Sequence, residues 1–167
     1  KDLSNKIRNG IREFAISNNY SFFDLKIQKG LLRNLIIRTT SIGESMVIVC
    51  FYENDHKKIN QLLSFLKESF PELTSINYLI NNKKNDSIHD IEVKHFSGNT
   101  FILEKIGSLN FKIAPKSFFQ TNTSQAIVLY ERVRALLNLN LQDVVFDLYT
   151  GTGSIANYIA KDCKKVI

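Results

Sequence analysis

Val144-Val145-Phe146-Asp147-Leu148-Tyr149-Thr150-Gly151-Thr152-Gly153-Ser154 is the stretch whose reading decides the fold. Its three leading apolar residues read as a buried parallel strand. Gly151 and Gly153 form a turn in which backbone can approach a ligand closely, and a helix from Ser154 to about Lys161 offers free N–H groups at its start. Lys164-Lys165-Val166-Ile167 begins another strand. Strand, glycine turn, helix and strand make a βαβ unit, the opening of an α/β Rossmann-like domain. A doubly wound sheet needs more strands than these, so the domain is expected to be truncated here.

Upstream of that strand the pattern is helical over about 123–138, with Ala126, Leu129, Tyr130, Val133, Leu136 and Leu137 on one face. Asn122, with Gln125 three residues on, imitates a capping box. Before Pro115 the character differs. A first helix carries Ile7, Ile11, Phe14 and Ala15 at helical spacing. A second runs from a cap at Asn54 or Asp55 through Ile59, Leu62, Leu63, Leu66 and Phe70 to Pro71. Alternating residues predict strands at 23–27, 32–40, 45–52, 75–80, 91–96, 100–105 and 109–113. Their short turns, including Ser97-Gly98-Asn99 and Gly107-Ser108, imply antiparallel pairing. The expected organisation is therefore an α+β antiparallel-sheet domain over 1–113, followed over 114–167 by the truncated start of the α/β domain.

Composition narrows the class without naming a function. At 44% hydrophobic and 23% charged, the chain reads as a soluble globular protein. No apolar run approaches the roughly 20 residues of a membrane span, and no signal peptide opens it, so a cytoplasmic location is expected. The formal charge of +6 suits a nucleic-acid partner, but the lysines and arginines are spread along the chain and read first as solvated faces. Cys50 and Cys163 form no C-x-x-C and share no ligand spacing with His56, His89 or His95. They read as reduced, partly buried thiols, with no metal and no iron–sulfur cluster.

Two motifs carry chemistry. Gly151-x-Gly153-x-x-Ala156 by itself also fits a dinucleotide fingerprint. Asp147, ahead of the turn, argues against it: a carboxylate there repels a diphosphate but accepts hydrogen bonds from an amino-acid moiety and favours a cationic sulfonium. D-x-x-x-G-x-G resembles the first motif of the Rossmann-like methyltransferases. The second motif is Ser117-Phe118-Phe119-Gln120-Thr121-Asn122. Taken on chemistry alone, Phe118 and Phe119 could equally be a hydrophobic staple sealing the long helix.

The two motifs together, with Gln125-Ala126 and Leu129-Tyr130 between them, resemble the RNA uracil-C5 methyltransferase family, which makes 5-methyluridine in ribosomal or transfer RNA. The resemblance covers residues 111–167 nearly throughout. The region before is similar to the family's central, RNA-contacting domain in position and size. What the resemblance implies is as follows. S-adenosyl-L-methionine is the cofactor and RNA the partner, with 23S ribosomal RNA favoured over transfer RNA. Gln120, Tyr149 and Ser154 contact the cofactor, Gly151 and Gly153 form its loop, and Asp147 orients that loop. Phe118 packs near the target uracil. Ser154 and Thr150 depart from the Asn and Cys common in relatives, and Ser154 keeps its hydrogen-bonding capacity.

In the family a cysteine thiolate adds to uracil C6, C5 attacks the methyl group, and a base removes the C5 proton. The resemblance places nucleophile and base after Ile167, so no catalytic residue is expected within the chain, and Cys163 is not the nucleophile. Residues 1–167 alone are expected to be inactive. Two other readings stay open: a methyltransferase of this fold acting on a protein or small molecule, against which the 117–122 motif argues, and a noncatalytic RNA-binding module.

Overall fold

The computed structural model describes residues 2–167. They divide into two compact units. The first runs to Thr39 and resumes over Gly43–Ile102, and the second comprises Thr40–Ile42 and Leu103–Ile167.

The first unit is a four-stranded sheet with two helices. Its strands are β1 (Leu32–Thr39), β2 (Ser45–Phe51), β3 (Ser75–Ile80) and β4 (Lys94–Gly98), in spatial order β1-β2-β3-β4. Helix α1 (Asp2–Ser17) buries Ile7, Ile11 and Ala15. Helix α2 (His56–Ser69) buries Ile59, Leu62, Leu63 and Leu66. These join Val47, Val49, Phe51 and Ile76 in one core. Asp55 caps α2, its carboxylate accepting from the Lys58 N–H at 3.0 Å. The helix ends at Phe70, ahead of Pro71, whose ring cannot continue it.

The sheet is mostly antiparallel, as the alternation predicts. Its one parallel pair, β2 with β3, arises because α2 rather than a tight turn connects them. Every residue of β2 is buried, as befits a strand at the centre of a covered sheet.

Three expectations change in this first unit. Residues 23–27 form no strand. The Asp24 carboxylate accepts from the N–H groups of Lys26 and Ile27, at 2.7 and 3.2 Å, and closes a turn instead. Gly30 follows with φ +125°, and a Cβ there would lie 2.4 Å from the Phe22 carbonyl oxygen, so only glycine fits. The strand expected at 91–96 occupies Lys94–Gly98 and pairs with β3, so no hairpin forms across Gly98. Arg33 is not on a solvated face either. Its side chain is 1% exposed, donating to the carbonyls of Asn81, Lys83 and Asn85 and pairing with Asp86 at 3.0 Å. It ties the polar loop after β3 to the bulge in β1.

The second unit contains the hairpin β5 (Ile102–Ile106) and β6 (Leu109–Ile113), helix α3 (Thr123–Leu137), strand β7 (Val144–Val145), helix α4 (Ser154–Ile159) with a 3-10 turn at Ala160–Asp162, and β8 (Lys165–Val166). Strands β7 and β8 pair in parallel, Val144 with Lys165 and Val145 with Val166, which forms the expected βαβ unit. The strand is not the buried one expected: it stops at Val145, and Val144 and Phe146 are 48% and 65% exposed because only β8 pairs with it. The division between units falls at residue 102, ahead of the boundary read at 113. The reason is packing: Ile106 and Phe111 of the hairpin share a core with Ala126 and Tyr130 of α3.

Candidate cofactor-binding turn and its supports

The glycine turn is built from the β7 end outward. The Asp147 N–H donates to the Ile167 carbonyl at 2.8 Å, extending the β7–β8 ladder to the brink of the turn. Chain direction then reverses through residues of positive φ: Tyr149 at 87°, Gly151 at 57° and Gly153 at 69°. Glycine adopts such angles freely, whereas for tyrosine they are strained. The Gly153 N–H closes the turn onto the Thr150 carbonyl at 2.8 Å. Gly153 then serves as the α4 N-cap, and no side chain occupies that cap. The Asp147 carboxylate has no hydrogen-bond partner among the described residues. Tyr149 is fully exposed.

Ser154, the first residue of α4, is held from behind. Its hydroxyl lies 2.8 Å from that of Tyr130, whose side chain is fully buried in α3. Ile155 and Tyr158 of α4 pack on the same core as Tyr130. Arg134 makes a two-pronged pair with Asp162 at 2.6 and 3.0 Å, fixing the far end of α4 to α3.

The 117–122 motif occupies the connector between β6 and α3. Its two aromatics separate. Phe119 packs on Phe111, ring centroids 5.6 Å apart, and joins the core, which is the staple role. Phe118 is left 72% exposed. Gln120 is half-buried. Asn122 caps α3, accepting from the Gln125 N–H at 3.1 Å. Connector and glycine turn thus rest on one hydrophobic cluster, Phe119 from one and Ile155 from the other.

Sequence reasoning missed Glu104. It sits on β5 at 2% exposure, between the inward Ile102 and Ile106. Its carboxylate accepts from the Thr123 hydroxyl at 2.7 Å, the Lys105 N–H at 2.8 Å, the Ser41 N–H at 3.1 Å and the Ser41 hydroxyl. Burial by itself pushes this carboxyl up. The hydrogen bonds from Ser41, Thr123 and Lys105 outweigh that and hold it below the usual carboxylate range. The available signal was its register, a charged residue at an inward position of an alternating strand. Tyr130 was missed as a polar residue because helical periodicity registers only its apolar ring.

The cysteines are both free and buried. Burial pushes the Cys50 thiol up to about 11, so it carries almost no thiolate at neutral pH. Among the described residues no cluster of His, Cys, Asp and Glu could hold a metal, and no helix is long and apolar enough to cross a membrane.

No family model matches the chain. It is 50% identical over 169 residues to an uncharacterized RNA methyltransferase of Bacteroides thetaiotaomicron, covering 99% of this chain and 37% of the relative. It is 47% identical to one of Porphyromonas gingivalis, over 99% of this chain and 36% of the relative. The chain is homologous to a part of these RNA methyltransferases. It spans a little over a third of their length. Among solved structures, the tRNA (uracil-54, C5)-methyltransferase of Pyrococcus abyssi, in complex with S-adenosyl-L-homocysteine, superposes with a TM-score of 0.72 at 30% identity. That match covers 92% of this chain and 36% of the other. The resemblance to the uracil-C5 methyltransferases therefore holds in three dimensions as well as in motif, and both units fall within it.

Proposed function

We propose that this chain belongs to an S-adenosylmethionine-dependent enzyme that methylates C5 of uracil in RNA. The single observation that carries the reading is the turn from Asp147 to Ser154. A tyrosine is held at φ 87°, fully exposed, between a carboxylate with no partner among the described residues and two glycines of positive φ. Backbone strain of that kind is kept where a ligand uses it.

The residues suit the cofactor. Asp147 offers a carboxylate to its cationic end, Tyr149 a face to pack on, and the Ser154 hydroxyl and Gln120 amide further hydrogen bonds. Gly151 and Gly153 hold the backbone of the loop. The bound cofactor supplies an electrophilic methyl group. Phe118, whose ring is left exposed in the connector, is the residue we assign to pack against the target uracil. Uracil C5 becomes nucleophilic once a thiolate adds at C6, and a base must afterwards take the C5 proton. Cys163 does not serve. It is 6% exposed, with its sulfur 3.8 Å from the carbonyl oxygens of Ile159 and Ala160. We assign nucleophile and base to residues outside 1–167.

Calorimetry with S-adenosylhomocysteine tests the cofactor half. Weak binding is expected, abolished by Ser154→Ala with Gln120→Ala, and tight binding of NAD instead would overturn the reading. Transfer of a labelled methyl group by the relatives' full-length counterpart, first to unmodified 23S ribosomal RNA and then to transfer RNA, identifies the substrate.

A further inference from the structure

In the first unit, α1 and the outer strand β1 enclose a groove of about 470 Å³. Its walls are mainly apolar, with Ile16 and Phe22 left 59% and 51% exposed. Three arginines line it and no carboxylate does. Arg33 is spent on carbonyls and Asp86, as described. Arg8 and Arg12 are different. They stand on successive turns of α1, both exposed, and neither pairs with an acidic side chain among the described residues. Among the described residues the Arg8 guanidinium hydrogen-bonds only its neighbour Asn9, at 3.4 Å.

We propose that this groove binds a single-stranded stretch of RNA, with Arg8 and Arg12 on consecutive phosphates and an unstacked base against Phe22. The proposal rests on RNA being the partner and adds where the strand lies. A cationic rim beside an exposed aromatic is the pairing that single strands use: charge tracks the backbone, and the ring accepts any base face. A duplex cannot use the apolar floor, because its bases are stacked inside. The uncompensated positive rim favours a polyanion over a protein segment. Strand addition at β1 is disfavoured by the bulge between Leu32 and Asn34, which breaks the row of edge hydrogen bonds.

Fluorescence anisotropy with a labelled single-stranded RNA of mixed sequence, a matched RNA duplex and the 167-residue chain tests it. The chain should prefer the single strand. Arg8→Ala with Arg12→Ala should lower the slope of log affinity against log salt by about 1.4. Phe22→Leu should weaken single-strand binding about tenfold and leave that slope unchanged. Circular dichroism melts establish that each variant is folded, and Lys57→Ala with Lys67→Ala on α2 controls for bulk charge. No RNA binding by the unmutated chain would sink RNA as the partner, and this groove with it. Binding that is unmoved by the three groove changes, or equal for the duplex, would overturn the groove alone and leave it to a protein segment.

Discussion

The hydroxyls of Tyr130 and Ser154 lie 2.8 Å apart, one fully buried in α3 and the other at the first position of α4. This contact ties the first residue of the helix after the glycine turn to the core of α3. Tyr130→Phe removes the hydroxyl and keeps the ring. It should cost about 1 kcal/mol in urea unfolding. Ser154→Ala instead leaves the Tyr130 hydroxyl buried without its partner and should cost about 1–3 kcal/mol. In a double-mutant cycle the two changes should be clearly non-additive. Additive losses would mean that the contact contributes nothing.

Glu104 makes the second unit sensitive to acid. Its carboxyl is held below the ordinary range in the folded chain, so the unfolded state binds the proton more readily. The stability it contributes is present above the unfolded carboxyl's pKa and is lost as pH falls through the folded value. Unfolding followed from neutral pH into the acid range should show this loss, and Glu104→Gln should flatten the profile there. At neutral pH Glu104→Ala strands the Ser41 and Thr123 hydroxyls and should cost about 3 kcal/mol. A variant as stable as the parent would refute the role.

Gly153 should tolerate alanine poorly because of its backbone angle. At φ 69° a Cβ costs about 1–2 kcal/mol, and it would also stand 3.0 Å from the Asn157 side-chain nitrogen. Gly43, at φ 89° with open space around it, carries only the backbone cost. Thermal melts of Gly153→Ala and Gly43→Ala should therefore both fall. Loss of S-adenosylhomocysteine binding should be confined to the first.

Cys50 should resist thiolate-selective reagents in the native chain, because it is buried and its thiol is pushed up to about 11. Mass spectrometry after brief exposure to iodoacetamide at neutral pH should find it unmodified, with labelling only once denaturant is added. Rapid native alkylation would show that β2 is less covered than its burial indicates.

Where apolar periodicity and caps coincided, sequence and structure agree closely. Asp55 caps α2, Asn122 caps α3, and the βαβ pairing of Val144 with Lys165 follows from the glycine turn between them. Alternation misled at 23–27, where the Asp24 side chain captured two N–H groups and made a turn of a strand-like pattern. The α3 stripe was legible but is covered only in part. Ala126 and Tyr130 are buried, while Leu136 remains 73% exposed. At the site, the glycines announced a tight turn of positive φ between strand and helix. Nothing local revealed that Ser154 would be held by Tyr130, or that Thr123 would meet a carboxylate on β5. Such pairs are distant in sequence, and no periodicity encodes them.

The Ser41–Glu104 contact makes the second unit discontinuous in the chain, since Thr40–Ile42 belong to it although they lie between β1 and β2. Dissection at residue 102 would leave a buried carboxylate short of donors, so a piece spanning 103–167 should be a poor independent folder. The Glu104 carboxylate keeps its full set of donors only while the β1–β2 turn holds Ser41 in place, so a change in that turn is felt on β5, in the part of the chain that carries the glycine turn.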